Sequence, residues 1–184
     1  ALARAELMIG DRRQAITMLD ALLAKAPDDA TLLRWRAECV APFFPGNTPD
    51  GRAEARRLLV RAFAADASDW RTMLDYVLTV RRADGALSSN DLEVALRAHE
   101  LAPQVSEIVI VTAVALGNAG RLADAATVLE PLAFATHDSI GTVFAKRLLA
   151  PARAGDQSGF LAAVRAPFPV APQLVTRPLV SPAS

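Results

Sequence analysis

The chain has 184 residues, of which 52% are hydrophobic and 22% are charged, and its 20 Lys and Arg residues balance its 20 Asp and Glu residues. This length and composition predict a single globular domain whose core needs neither disulfides nor a metal. Zero net charge excludes a global attraction to nucleic acid, and no apolar run reaches the roughly 18 residues of a membrane span, so direct membrane insertion is not expected.

The first predicted element, at residues 10–27, is a turn followed by a helix that stops at a proline. Gly10 marks the turn, and Ala15, Leu19 and Leu22 follow at helical spacing before Pro27. The same offsets of five, nine and twelve residues after a glycine recur at residues 120–132. Two segments between these copies carry residues at similar spacing, and we call the residues at these positions anchors. These further anchors are Ala55, Leu59 and Ala62; Asp91, Ala95, Ala98 and Pro103; and Gly120, Ala125, Leu129 and Leu132.

A first helix with a small packing residue is predicted before each of these helices. The small residues are Ala3, Ala37, Val77 and Ala113. The third anchors of the four units are separated by 40, 36 and 34 residues, and the extra residues lie between helices, where insertions are tolerated. One period of 34 residues therefore describes the chain, with units at about 1–29, 30–69, 70–105 and 106–136.

Capping residues support the predicted helix starts, because Ser, Thr, Asp and Asn side chains accept hydrogen bonds from the first turn. Candidate caps are Asp28–Asp29, Thr48–Pro49, Ser68–Asp69, Ser89–Asn90 and Ser106. Thr48–Pro49 predicts a helix running to about Ala65, and Ser68–Asp69 predicts one starting near Trp70. The longest insertion is "PFFPGNTPDG" at 42–51; we expect Phe43 and Phe44 to fold back over their own helix pair, the alternative being a partner-binding tip.

A helix–turn–helix period of 34 residues with small residues at fixed positions resembles the tetratricopeptide repeat. The resemblance covers about residues 2–135, and Asp91 stands where the family has Ala. The matching residues are Gly10, Ala15, Leu19 and Pro27; Ala37, Val40, Ala55, Leu59 and Ala62; Val77, Ala98 and Pro103; Ala113, Leu116, Gly120, Ala125 and Leu129. The resemblance implies an all-α, right-handed superhelical solenoid of four to five helix pairs.

After residue 136 one more helix pair is predicted as a terminal cap, at 137–165, with Gly155–Asp156 at its turn. Pro151 predicts that the first helix of this pair ends or kinks there, and Pro131 predicts a bend in the preceding helix. Residues 166–184 contain five prolines and are predicted to form an extended tail. We expect the tail to lie in a groove of its own or of a neighbouring chain, which would give a homodimer; the alternative is a disordered tail.

Residues 106–130, "SEIVIVTAVALGNAGRLADAATVLE", allow a second interpretation. A strand at 108–115, a glycine-rich turn and a helix would form a dinucleotide-binding site, in which glycines let a pyrophosphate approach a helix N-terminus. Ile108, Val109, Ile110 and Val111 favour a strand locally. The fingerprint lacks its first glycine, however, and the repeat places these residues in a first helix, so we interpret the segment as a repeat turn.

Candidate catalytic and metal-binding residues are few. His99, His137 and Cys39 are not at ligand spacing, and His137–Asp138–Ser139 are interpreted as helix-start residues rather than a triad. With a single cysteine, no internal disulfide can form, so the cysteine content does not distinguish the bacterial cytoplasm from the periplasm. We therefore expect no cofactor, no metal and no enzymatic activity.

In the tetratricopeptide family the first helices line a concave surface that binds partners. Carried over to this sequence, the resemblance implies a partner-binding groove that is charged at one end and apolar at the other. Its residues are Arg34, Trp35 and Glu38; Arg71, Leu74, Asp75, Leu78, Arg81 and Arg82; Glu107, Ile110, Val111, Val114 and Asn118. The alternative is that the capping pair or the tail covers the apolar end.

Because Ala1 falls within a helical pattern and no Met precedes it, we expect a piece of a longer, bacterial-type protein. The predicted function is a scaffold that binds a protein or peptide partner. One alternative is an accessory or regulatory C-terminal domain of an enzyme, such as a peptidase. Another is a homo-oligomerisation module.

Overall fold

The computed structural model describes residues 11–40, 48–81, 88–136 and 139–166. These residues form nine α-helices and no strand, which confirms the predicted all-α class. The helices are α1 (Arg12–Leu23), α2 (Ala30–Val40), α3 (Pro49–Ala65), α4 (Trp70–Arg81), α5 (Ser89–Leu101), α6 (Ser106–Asn118), α7 (Leu122–Ala133), α8 (Ile140–Arg153) and α9 (Gln157–Arg165). None of these helices is long and apolar enough to cross a membrane. The predictions for Ala3, Phe43, Phe44, Arg82, His137, Asp138 and residues 167–184 lie outside the described ranges.

The predicted caps are found at some helix starts and are displaced at others. Thr48 accepts a hydrogen bond from the Gly51 amide at 3.1 Å, with Pro49 in the first turn, so α3 begins and ends as predicted. The cap of α5 is Ser88, one residue earlier than predicted, because Ser88 and Asp91 form a reciprocal capping box. Ser106 is not a cap either: it is the first residue of α6, and no side chain caps that helix.

Consecutive helices pack against each other throughout the described chain. In addition, α2 contacts α4, α4 contacts α6 and α6 contacts α8, so the first helices of successive pairs touch in series. The last helix, α9, contacts α6 as well as its own partner α8. The arrangement is thus repeat-like from α2 to α8, and α9 closes its end.

Small residues are buried between the packed helices. Ala37, Val77 and Ala113 on the first helices are at most 2% exposed, and Ala55 and Ala125 on the second helices are 0% exposed. Small side chains in such positions allow a close approach, and the neighbouring leucines fill the remaining space. The anchor predicted at Leu22 is wrong, because that side chain is 41% exposed.

Residues 106–118 form one continuous helix, so the strand interpretation of this segment is wrong. Helix α6 is buried on nearly all sides because it contacts α4, α5, α7, α8 and α9. An apolar surface around the whole circumference is what a central helix requires, and packing outweighs the strand preference of its β-branched residues. Its buried Thr112 hydroxyl donates to the Ala95 carbonyl at 3.0 Å.

Glycine in the left-handed conformation ends both α6 and α8. Gly120 has φ 76° and Gly155 has φ 68°. After each glycine the next amide, of Arg121 or Asp156, donates to a carbonyl five residues back, which is the Schellman arrangement. Of the two outcomes predicted at Pro151, an end or a kink, the end does not occur: α8 continues to Arg153, and Pro151 supplies the carbonyl that accepts from Asp156.

Candidate functional site

The charged half of the predicted groove forms a cluster across α2 and α4. Arg34 lies between two carboxylates, with Nη1 3.4 Å from Asp75 Oδ2 and Nε 3.7 Å from Asp69 Oδ2. These three side chains are between 14% and 18% exposed. Arg71 stacks on the Trp70 ring at 4.3 Å and lies 4.0 Å from Asp69. We call Arg34, Glu38, Asp69, Arg71 and Asp75 the charged cluster.

Burial raises the pKa of Asp75 to about 6, which is more than the nearby positive charge of Arg34 offsets. The negative charges of Glu38 and Asp69 raise it further. The charged cluster contains three carboxylates and two guanidinium groups, and Asp75 is the carboxylate whose ionisation is the most costly. A cation placed beside Asp75 would favour its ionised form and would itself be stabilised.

Apolar side chains flank the charged cluster on the same two helices. Trp35 on α2 and Leu74 and Leu78 on α4 are half-buried. Leu74 and Leu78 pack against the core that contains Ala37 and Val77, whereas Trp35 packs against Ala15, Leu19 and Cys39. A half-buried apolar border beside a charged centre is a common composition for a surface that recognises a peptide segment.

Two of the three apolar side chains predicted for this half of the groove, Val111 and Val114, are enclosed rather than open. Val111 is 6% exposed and packs with α4 and α5, whereas Val114 is 2% exposed and packs with α8 and α9. A partner would not reach either side chain without displacing a neighbouring helix. Ile110 is half-buried, and Glu107 and Asn118 are exposed at the two ends of α6. The expectation of an accessible apolar end therefore has to be corrected at Val111 and Val114.

Helix α9 causes part of this enclosure through its contact with Gly117. The Phe160 ring is 0% exposed and lies so close to Gly117 that a β-carbon there would be 2.6 Å from Phe160 Cδ1. The Gln157 amide donates to the Gly117 carbonyl at 3.1 Å. The capping helix thus covers this end of the first-helix layer, as the alternative interpretation of the sequence had it.

A second polar network joins α3, α4 and α5. Asp91 is 2% exposed; its carboxylate accepts from Arg56 Nη2 at 2.7 Å and from the Ser88 amide at 2.8 Å. Arg56 also donates to the Tyr76 hydroxyl at 2.5 Å and lies over its ring. Burial alone would raise the pKa of Asp91, but the bonds from Ser88 and the charge of Arg56 hold it below its ordinary value. The sequence indicated this network only through Asp91, an aspartate at a position where the tetratricopeptide pattern has alanine.

The remaining reactive side chains are separated. Cys39 is 1% exposed, and burial raises the pKa of its thiol to about 11. His99 lines a hollow between α5 and α7, and burial lowers its pKa. Within residues 11–40, 48–81, 88–136 and 139–166 no group of three His, Cys, Asp or Glu side chains has a geometry that could hold a metal.

No protein-family model matches this sequence, and comparisons with curated proteins and with solved structures give no match either.

Proposed function

We propose that the chain is a protein- or peptide-binding scaffold, built as a right-handed tetratricopeptide-like solenoid and without catalytic residues of its own. Two observations support this proposal. The first helices α2, α4, α6 and α8 touch in series, as they do in a stacked repeat. Small residues are buried on successive first helices, at Ala37, Val77 and Ala113.

The observation that carries the proposal is the charged cluster on α2 and α4. The buried carboxylate of Asp75, the partial burial of the cluster and its apolar border favour a partner segment that presents a Lys or Arg side chain between apolar residues. A carboxylate that is already costly to ionise gains most from a new cationic neighbour. We therefore place Asp75, which lies 3.4 Å from Arg34 and whose pKa burial raises to about 6, at the centre of the proposed recognition surface.

A random-peptide display library tests the proposal, followed by synthetic versions of the enriched peptides. We expect enriched peptides to carry a basic residue flanked by apolar ones, with binding that weakens as salt is added. Glu38→Gln and Asp75→Asn should each weaken binding about tenfold, equivalent to about 1.4 kcal/mol.

Asp124→Asn is the matched control, because Asp124 is an exposed carboxylate on α7 that pairs with Arg121. Its affinity should equal that of the unchanged chain. Enrichment of acidic peptides, or equal losses in all three variants, would contradict recognition by the charged cluster.

A further inference from the structure

An open apolar groove lies beside the N-termini of α6 and α8 and the C-terminus of α9. It has a volume of about 590 Å³. Its apolar lining comes from Ile110, Ile140, Phe144 and Val164. Ile140 is 74% exposed, which is the highest value among the large hydrophobic side chains of the described ranges. Together with the three other apolar lining residues, this exposed side chain makes the groove a candidate surface for a further apolar segment.

The chain itself enters this groove at Ala166. That residue belongs to the groove lining, and its carbonyl accepts a hydrogen bond from Arg147 Nη2 at 3.3 Å. Arg147 also lies over the Phe144 ring at 4.7 Å. The last described backbone group is therefore bound to the groove wall, and whatever follows Ala166 starts from there.

The residues that follow have the composition of a groove ligand. The first four are Pro167, Phe168, Pro169 and Val170, and 14 more follow in the sequence. Prolines restrict the unbound chain, which lowers the entropy lost on binding. They also lack a backbone N–H, so burying them against an apolar wall leaves fewer donors without a partner.

The length of residues 167–170 matches the distance along α8 from Arg147 to Ile140. Arg147 and Ile140 are seven residues apart on α8, which is about 10 Å along the helix axis. An extended proline-rich segment advances about 3.1 Å per residue, so four residues after Ala166 span about 12 Å.

We propose that residues 167–170 of this chain bind in this groove in cis, with Phe168 and Val170 covering Ile140 and Phe144. The inference is independent of the charged cluster, which lies on other helices. Its consequence is that the chain fills its own apolar groove and leaves the charged cluster to partners.

Thiol labelling tests the proposal, because the only native cysteine is silent: Cys39 is 1% exposed and its thiol pKa is about 11. Ile140→Cys places a thiol in the groove of the full chain. We compare Ile140→Cys alone with a variant that also carries Phe168→Ser and Val170→Ser. Maleimide should react with Ile140→Cys alone at least about tenfold more slowly, because a segment that is bound about nine-tenths of the time leaves the thiol open in about one molecule in ten. Val60→Cys, at an exposed position on α3, is the matched control and should react equally fast with and without the two serine substitutions.

Equal labelling rates at position 140 with and without Phe168 and Val170 would overturn the proposal. So would protection that disappears on dilution, because the segment would then come from a second copy of the chain. Thermal melts of the cysteine variants establish that each is folded. Protection that is independent of protein concentration, together with a monomeric mass by light scattering, would support binding in cis.

Discussion

Replacing Asp75 with asparagine should change how the stability of the protein depends on pH. Asn has nearly the shape of Asp and still accepts a hydrogen bond from Arg34, but it carries no charge. The ionised carboxylate of Asp75 is costly in its present position, since burial outweighs the attraction of Arg34 and raises the pKa to about 6. The substitution removes that cost and leaves Arg34 paired with Asp69, 3.7 Å away.

The size of the effect follows from the two pKa values. The ordinary value for the carboxyl is 3.8 and the folded value is about 6, a difference of about 2 pKa units, which corresponds to about 3 kcal/mol. Because the folded value is the higher one, the folded state binds the proton more tightly. This contribution to stability is fully present below about pH 4 and is lost as pH rises through about 6. The side chain is only 14% exposed, so solvent screening reduces it little.

Urea melts between about pH 4 and pH 7 measure this contribution as a difference between the two proteins. On raising the pH, the unchanged chain should lose up to about 3 kcal/mol of unfolding free energy relative to Asp75→Asn. Asp28→Asn, at a side chain that is 82% exposed, controls for the removal of one negative charge. A difference between the unchanged chain and Asp75→Asn that stays constant across this range would refute the reasoning about Asp75.

Two further predictions concern the packing of α6. Ala125→Leu should lower the unfolding free energy in urea melts by about 1–3 kcal/mol, because Ala125 is 0% exposed at a close helix crossing; an unchanged midpoint would mean that the helix register is wrong. Gly117→Ala should also destabilise, by about 1–3 kcal/mol, although alanine is the better helix former, because its β-carbon would overlap the Phe160 ring. Phe160→Leu should be less harmful in the Gly117→Ala background than alone, and additive effects in this double-mutant cycle would contradict the overlap.

The helices and their buried small residues could be predicted from the sequence because their signals are local. Thr48–Pro49 marks the start of α3 through a hydrogen bond that spans three residues. Ala55 and Ala125 recur at the repeat period, and both are fully buried. The capping signal misplaced the cap of α5 by one residue. Ser88, Ser89 and Asn90 are all good capping residues, and only the capping box with Asp91 selects Ser88 among them.

The polar networks could not be predicted, because each depends on residues far apart in the sequence. Asp91 is compatible with a buried position only because Arg56, 35 residues earlier, reaches its carboxylate. The pKa of Asp75 is raised mainly by burial, and α2, about 40 residues away, supplies both Arg34, whose charge lowers that pKa, and Glu38, whose charge raises it. The sequence predicted that Arg34, Glu38 and Asp75 lie on one face. It contained no measure of how deeply Asp75 is buried, and burial is the largest cause of the shift in its pKa.

Gly117 connects the rejected interpretation of residues 106–130 with the structure that these residues form. A phosphate-binding loop uses glycine so that a ligand can approach the backbone, and here glycine lets the Phe160 ring approach the backbone of α6. A glycine pattern in a sequence therefore indicates close approach without indicating what approaches. In this chain it is α9, which contacts both α6 and α8 and encloses Val114. The enclosure removes Val114 from the surface and leaves Ile110, one turn earlier on the same helix, at the groove beside Ile140.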